Sequence, residues 1–391
     1  MIVLCADRLY TPQEEVHNPL LFIEDGFISA ISSRTQREVP TNATIVDLAD
    51  EGVAGAILAP GFVDIHMHGG AGLDVMRATS AELPHLNQFL TRHGVTCYFP
   101  TTVAAPLDET CRALERLADA IEAAPASSHG TVQARPLGIH LEGPFLSHKR
   151  RGVHPPEFLV EPTLEIFERL WQAARGHVRM MTIAPELPGA LEVIAEAARR
   201  MVCVSIGHSD SELQAARAGV AAGARHATHT FNAMRPLDHR NPGILAEVLT
   251  DPQISADIIV DGIHVAPEVV QLFLKAKGLD RSVLITDATA AAGMPDGIYQ
   301  LGPIQVEVKD GKCMKDGNLA GSVLTMDRAV RNVTQFAGWS LRDAVRAATL
   351  NPSRAVGLTQ HGLLAPGAEA NIVVLSPEGE VRKTFVRGRA A

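Results

Sequence analysis

The sequence predicts an α/β fold: a (β/α)8 TIM-like barrel with a small β-sandwich domain formed by both termini. Three observations carry this prediction. Between residues 59 and 362, eight apolar runs rich in β-branched residues alternate with stretches of helical periodicity rich in Ala, Leu, Glu and Arg. Residues 1–58 and 363–391 read instead as short extended segments broken by turn residues. The least ordinary polar side chains of the middle stand at the C-terminal ends of the apolar runs, the rim on which such barrels build their sites.

The N-terminal segments are "MIVLCADRLY", "PLLFIEDGFISAIS" and "ATIVDLAD", with Asp-Gly and Pro as breaks. At the other end, "GLLAPGAEANIVVLSPEGEVRKTFVRGR" places two apolar stretches around Pro-Glu-Gly, a hairpin signal. The eight runs between are "GFVDIHMH", "GVTCYFPTT", "PLGIHLEG", "VRMMTIAPE", "MVCVSIGHS", "HATHTFNA", "ISADIIVDG" and "SVLITDAT". Helical segments such as "LDETCRALERLADAIEAA", "LPGALEVIAEAARR", "DSELQAARAGVAAG" and "APEVVQLFLKAKG" separate them. Runs that are apolar almost throughout suit strands covered on both faces, and hence a parallel sheet. A doubly wound open sheet fits the same alternation and is the runner-up.

Composition narrows the function. A 391-residue chain with 46% hydrophobic residues can bury a large core. Its 35 basic and 44 acidic residues give a net charge of −9 without a clustered basic face, so neither nucleic acid nor an anionic membrane is expected as a partner. The N-terminus has no basic region followed by an apolar stretch, and no run is long enough to span a bilayer, so a soluble, cytoplasmic protein is expected. The five cysteines are odd in number and widely spaced, which predicts buried thiols in a reducing compartment.

The candidate site residues are His66 and His68 after the first run, Glu142 after the third, His208 after the fifth and His229 after the sixth. Asp261 and His264 follow the seventh, and Asp287 the eighth. Alternation along a strand turns residues i and i+2 to one face, so His66 and His68 can address one cation. Read singly, each residue has an ordinary explanation. His66 and His68 fit a strand-end pair, Glu142 a turn cap before Gly143–Pro144, and His208 a neighbour of the capping residues Ser209 and Asp210. His229 fits a satisfied core histidine and Asp287 a helix N-cap. Read together they point to one mouth, because chance would scatter them over both ends of the strands. Imidazole with carboxylate suits a borderline divalent ion such as zinc or ferrous iron.

The ordered set "PGFVDIHMHGG", "LEGPF", "GVH", "GHSD", "HTFNAM", "DGIHV", "TDAT" and "AGSVLTM" resembles the N-acetylglucosamine-6-phosphate deacetylase family of the amidohydrolase superfamily, over nearly the whole chain. The resemblance implies hydrolysis of the acetamide of N-acetyl-D-glucosamine 6-phosphate to D-glucosamine 6-phosphate and acetate. It makes Glu142, His208 and His229 the principal metal ligands and Asp287 the catalytic aspartate. A carboxylated lysine bridges two metals in other superfamily members, but "RMMTIAPE" has no lysine, so Glu142 takes that place. Because His66 and His68 are both present, a second site completed by Glu142 and Asp287 is expected. That gives one or two divalent ions per chain, zinc first, with iron, manganese or cobalt as alternatives.

The same resemblance assigns the substrate contacts. His264 is expected to help polarise the acetamide carbonyl, and Asp261 beside it is expected to bind substrate as well. Asn232 and Ala233 offer amides to the phosphate, and Arg240 reaches the neighbouring subunit's substrate in a homodimer. Val153 and His154 lie near the sugar, and Leu319 with Ala320 near the acetyl methyl. His85, His93, His129, His148, His177 and His361 match no motif and are expected to be ordinary surface or core residues. Two rival readings stand beside this one: an amidohydrolase for a different N-acyl sugar or cyclic amide, and a catalytically silent barrel kept as an oligomeric interaction protein.

Overall fold

The computed structural model describes residues 1–36, 39–123 and 131–391; His129 lies outside them. Each of the eight apolar runs contains a strand: β1 (Phe62–Met67), β2 (Val95–Pro100), β3 (Ile139–Glu142), β4 (Val178–Ile183), β5 (Cys203–Ile206), β6 (His226–Ala227), β7 (Ser255–Ile259) and β8 (Ser282–Ile285). Strands β3 to β8 form one parallel sheet in chain order, and β1 pairs in parallel with β2. A parallel bridge between Thr101 and His140 connects the end of β2 to β3. Beyond β8, the Asp287 amide donates to the His66 carbonyl at 2.9 Å, which brings the last strand back to the first. The fold is α/β and TIM-like.

Burial explains the apolar runs, since every residue of β1, β2, β3, β5 from Val204 on, β7 and β8 is buried. Helices cover the outside. Pro267–Lys277 shows why they form where the periodicity places them: Pro267 opens the first turn, Glu268 follows it, Lys275 and Lys277 close the last turn, and Gly278 at φ +70° ends it. Its Val270, Phe273 and Leu274 turn into the core, and truncating a buried Phe such as Phe273 costs about 3–5 kcal/mol.

Two features depart from the alternation. The run "HATHTFNA" yields only a two-residue strand, because His229, Phe231 and Ala233 take left-handed φ values of 27°, 80° and 49° that no strand can include. Between β8 and the helix Met326–Ala337 lies an unexpected antiparallel meander of Gly297–Leu301, Ile304–Lys309, Lys312–Lys315 and Asn318–Leu319. Its last two turns are Asp310-Gly311 and Asp316-Gly317, with both residues of each at positive φ, the geometry that twisted hairpins favour. Leu301, Val306, Val308 and Cys313 anchor the meander on Met76, Val103 and Ala105 beside the barrel strands.

The terminal strands form two sheets. Ile2–Cys5 lies between Pro19–Glu24 and Thr44–Asp47, with Phe27–Ser33 at the edge. In the second sheet, Ile57–Pro60 pairs with Ile372–Leu375 on one side and Arg8–Tyr10 on the other, so both ends of the chain share it. Period-two alternation divides its contacts: Leu58, Ile372 and Val374 meet Leu4, Leu21 and Ile28 of the first sheet, while Ile57, Ala59, Val373 and Leu375 belong to the main core. The strand Ile57–Pro60 therefore runs across the expected boundary at residue 58. No cysteine is in a disulfide, and Cys5, Cys97 and Cys313 are buried. No helix among the described residues is long and apolar enough to cross a membrane.

Candidate metal centre

The strand ends bring His66, His68, Glu142, His208, His229 and Asp287 together, all buried. Three of them sit in left-handed backbone, at φ 45° for His208, 27° for His229 and 51° for Asp287. Non-glycine residues adopt this region at a cost of roughly 1–3 kcal/mol, and it clusters where surrounding structure over-determines a functional geometry. Here the restraint is visible. Asp287 donates its N–H to His66 O and accepts at its own carbonyl from Ser322 N at 2.7 Å, while His208 O accepts from Ser147 N at 2.9 Å.

Hydrogen bonds also set the ring tautomers. Carbonyl oxygens only accept, so the contacts of His68 Nδ1 with Thr101 O (3.1 Å) and of His208 Nδ1 with Arg150 O (2.8 Å) require a proton on Nδ1. Each ring then turns its Nε2 edge to the centre. A directed chain runs beneath. His140, held neutral by burial, donates from Nδ1 to Ile65 O (3.2 Å) and accepts at Nε2 from Thr182 Oγ1 (2.8 Å). Thr182 accepts from Thr228 (2.8 Å), which accepts from Ser205 (2.5 Å). On the other side Thr286 Oγ1 donates to Asp64 Oδ2 at 2.6 Å, and burial lifts Asp64 to about 6.

The donor atoms form two sets that share Glu142. In the first, Glu142 Oε1 lies 3.2 Å from His208 Nε2 and 3.1 Å from His229 Nε2, and the two nitrogens are 3.1 Å apart. In the second, Glu142 Oε2 lies 3.5 Å from His66 Nε2 and 3.4 Å from His68 Nε2. Asp287 Oδ1 lies 3.5 and 3.1 Å from the same two nitrogens, which are 3.3 Å apart. Donors at about 2.1 Å from a tetrahedral cation stand roughly 3.4 Å from one another, so both sets fit a divalent metal. Electrostatics agree. Burial raises carboxylate pKa values, but His66, His208 and His229 outweigh it and hold Glu142 well below the ordinary range, and His68 and His66 hold Asp287 at about 2. Burial disfavours charged imidazole too, yet Asp287 and Glu142 lift His68 to about 10, and Glu142 lifts His229 to about 9. The carboxylates demand positive charge among them, a demand that a divalent cation meets.

Residues 57–391 match the amidohydrolase family model. The chain belongs to the amidohydrolase family. It is 34% identical over 385 residues to a Bacillus subtilis N-acetylglucosamine-6-phosphate deacetylase, covering 98% of this chain and 95% of that one. It is 36% identical over 391 residues to an Escherichia coli N-acetylgalactosamine-6-phosphate deacetylase, covering 100% and 99%. Among solved structures, a mutant Mycobacterium smegmatis N-acetyl-D-glucosamine-6-phosphate deacetylase in complex with N-acetyl-D-glucosamine-6-phosphate superposes with a TM-score of 0.91 at 35% identity, covering 100% and 98%. The amidohydrolase is thus a hydrolase acting on an amide carbon–nitrogen bond.

In this amidohydrolase the centre opens into a cavity of about 550 Å³. Val153, His154, Asn232, Ala233, His264 and Leu319 line it. Asp261 stands one step behind: its Oδ2 accepts from His264 Nδ1 at 2.7 Å and its Oδ1 from the amides of Ile263 and His264, both at 2.8 Å. His154 Nδ1 accepts from the Ala104 amide at 3.1 Å, and burial with the proximity of His208 lowers its pKa to about 3. Its proton therefore sits on Nε2, 3.8 Å from Glu142 Oε2. Three expected contacts do not line this cavity: Asp261 stands behind His264, and Ala320 and Arg240 lie elsewhere. Ala320 is fully buried under the meander, and Arg240 lies on an exposed turn capped by Asp238.

A basic mouth lies outside the motifs. His148, Lys149, Arg150 and Arg151 line the cavity entrance, with Asp210 holding Arg150 at 2.8 Å and Lys149 at 3.5 Å. The run "HKRRG" directly after "LEGPFLS" was the available signal. His148 is accordingly a cavity residue, whereas His93 and His177 meet Asp327 and Glu122 as ordinary partners.

Proposed function

We propose that this amidohydrolase removes the acetyl group of N-acetyl-D-glucosamine 6-phosphate, giving D-glucosamine 6-phosphate and acetate. The observation that carries the proposal is the pair of donor sets sharing Glu142 at the floor of a cavity with a basic mouth. Deacetylase relatives spanning the whole chain support the same reading. Glu142, His208 and His229 would hold one divalent ion, with zinc the first choice, and His66, His68, Glu142 and Asp287 would hold a second. When bound, such an ion lowers the pKa of a water from about 15.7 toward about 7 and so supplies the nucleophile.

The chain's own residues do the rest. Asp287 takes the proton of the attacking water and passes it to the departing amine as the carbon–nitrogen bond breaks. His264 faces the acetamide oxygen, and Asp261 Oδ2, 2.7 Å from its Nδ1, orients the ring toward the place where negative charge develops. His154 donates from Nε2 to the sugar, and Leu319 bounds the acetyl methyl with Ala320 packed behind it. Asn232 and Ala233 bind the 6-phosphate, joined by Arg240 of the partner subunit in a homodimer, while Lys149, Arg150 and Arg151 attract the dianion at the mouth.

The wider architecture belongs to the same reading: a closed (β/α)8 barrel over 59–362 and a β-sandwich from 1–58 with 363–391, in a cytoplasmic enzyme. The full-length match to a deacetylase for the galactosamine epimer favours one second reading, in which the 4-hydroxyl configuration is reversed. Acetate release from both 6-phosphates and from unphosphorylated N-acetylglucosamine, with added zinc, tests the proposal. Faster turnover of the glucosamine epimer is expected, and equal rates with and without phosphate would overturn it.

A further inference from the structure

Strand β6 breaks its own alternation. His226 meets Asp257, and Thr228 meets Thr182 and Ser205, so both point into the barrel interior. A continuing strand would turn His229 outward toward the helices. The φ of 27° at His229 interrupts the alternation and brings this next residue inward as well, to Glu142 and His208. Asp257, fully buried on β7, grips that break at three points. One carboxylate oxygen accepts the His229 N–H, the other accepts from His226 Nε2 at 3.0 Å, and the Asp257 carbonyl accepts the Thr230 N–H at 2.9 Å. Neither Asp257 nor His226 lines the cavity, and the proposed chemistry uses neither of them.

We infer that Asp257, braced by His226, is a positioning residue that fixes His229 in its left-handed conformation and so sets the metal affinity of the Glu142–His208–His229 set. The inference rests on the reading of that set as a metal site. His226 orients the carboxylate; the carboxylate orients the His229 amide; the amide conformation aims the ring. Groups one shell behind metal ligands typically contribute 10–100-fold in affinity.

The test uses full-length wild type, D257A and D257N, stripped of metal, checked for folding by thermal melting and titrated with zinc against a chromogenic chelator. D257A is expected to weaken the tighter-coupled Glu142–His208–His229 set at least tenfold while the His66–His68 set stays within threefold. D257N keeps one acceptor for the His229 amide but leaves His226 without its carboxylate, so a smaller loss of at least threefold in the same set is expected. KM for the sugar phosphate at saturating zinc stays within twofold in both variants. H208A and H66A titrations assign which binding phase belongs to which set. Unchanged affinity in a folded D257A, or equal losses in both sets, overturns the inference; if D257A does not fold, unchanged affinity in D257N overturns it. Wild type that takes up no zinc overturns the metal reading itself and the inference with it.

Discussion

The two donor sets on either side of Glu142 differ by one carboxylate. Glu142 Oε1 faces the His208 and His229 rings, and Oε2 faces the His66 and His68 rings, which Asp287 Oδ1 also meets. Three protein donors leave a tetrahedral position open for water, whereas four close the sphere. The comparison sharpens the proposal: the poorer set is the one proposed to activate water, and the richer set is proposed to supply charge and hold the aspartate beside it. A single glutamate in both makes the two sets one electrostatic unit.

The largest effect should come from breaking both sets at once. Glu142→Ala removes the shared donor, and metal analysis should show both ions lost and acetate release at background; one retained ion would show the sets to be independent. Next, Asp287→Asn reduces the richer set but leaves the three-donor set intact. Turnover should fall at least about a hundredfold with zinc still bound, measured as kcat beside metal content. His66→Ala with His68→Ala should lower the stoichiometry from two toward one while some activity survives. A stoichiometry of one in wild type, unchanged by these substitutions, would remove the second site from the account. The smallest effect lies outside both sets. Arg240→Ala should raise KM for the 6-phosphate by about tenfold to a hundredfold, the range of a lost charge-assisted hydrogen bond, and leave unphosphorylated N-acetylglucosamine unaffected.

Much of this arrangement was legible in the sequence because it follows from period. Strands covered on both faces must be apolar throughout, and their ends are where polarity returns, so "DIHMH", "HLEG", "SIGHS" and "TDAT" marked the rim before any coordinates did. Other parts resisted for physical reasons. The sixth run looked like a full strand because φ at His229 leaves no trace in composition. The meander was missed although "VKDGKC" and "KDGN" carry its Asp-Gly turns, since its strands are half-exposed and lack the apolar density of the barrel runs. The support under the site, from Asp64 to His140 and Asp257, was invisible because hydrogen-bond partners on neighbouring strands are set by register, which one sequence does not print. Arg240 lies exposed and off this chain's cavity, so a motif match alone does not locate its partner.

The shared sheet of the two chain ends has a bearing on biosynthesis. Ile57–Pro60 leaves the ribosome early, but its partner Ile372–Leu375 emerges only after the entire catalytic body has been made. Until then one edge of an apolar strand stands unpaired, the kind of edge that recruits foreign strands. The edge is sealed only when Ile372–Leu375 arrives, so a nascent chain stalled shortly before Ile372 is expected to be more prone to aggregate than one stalled beyond it.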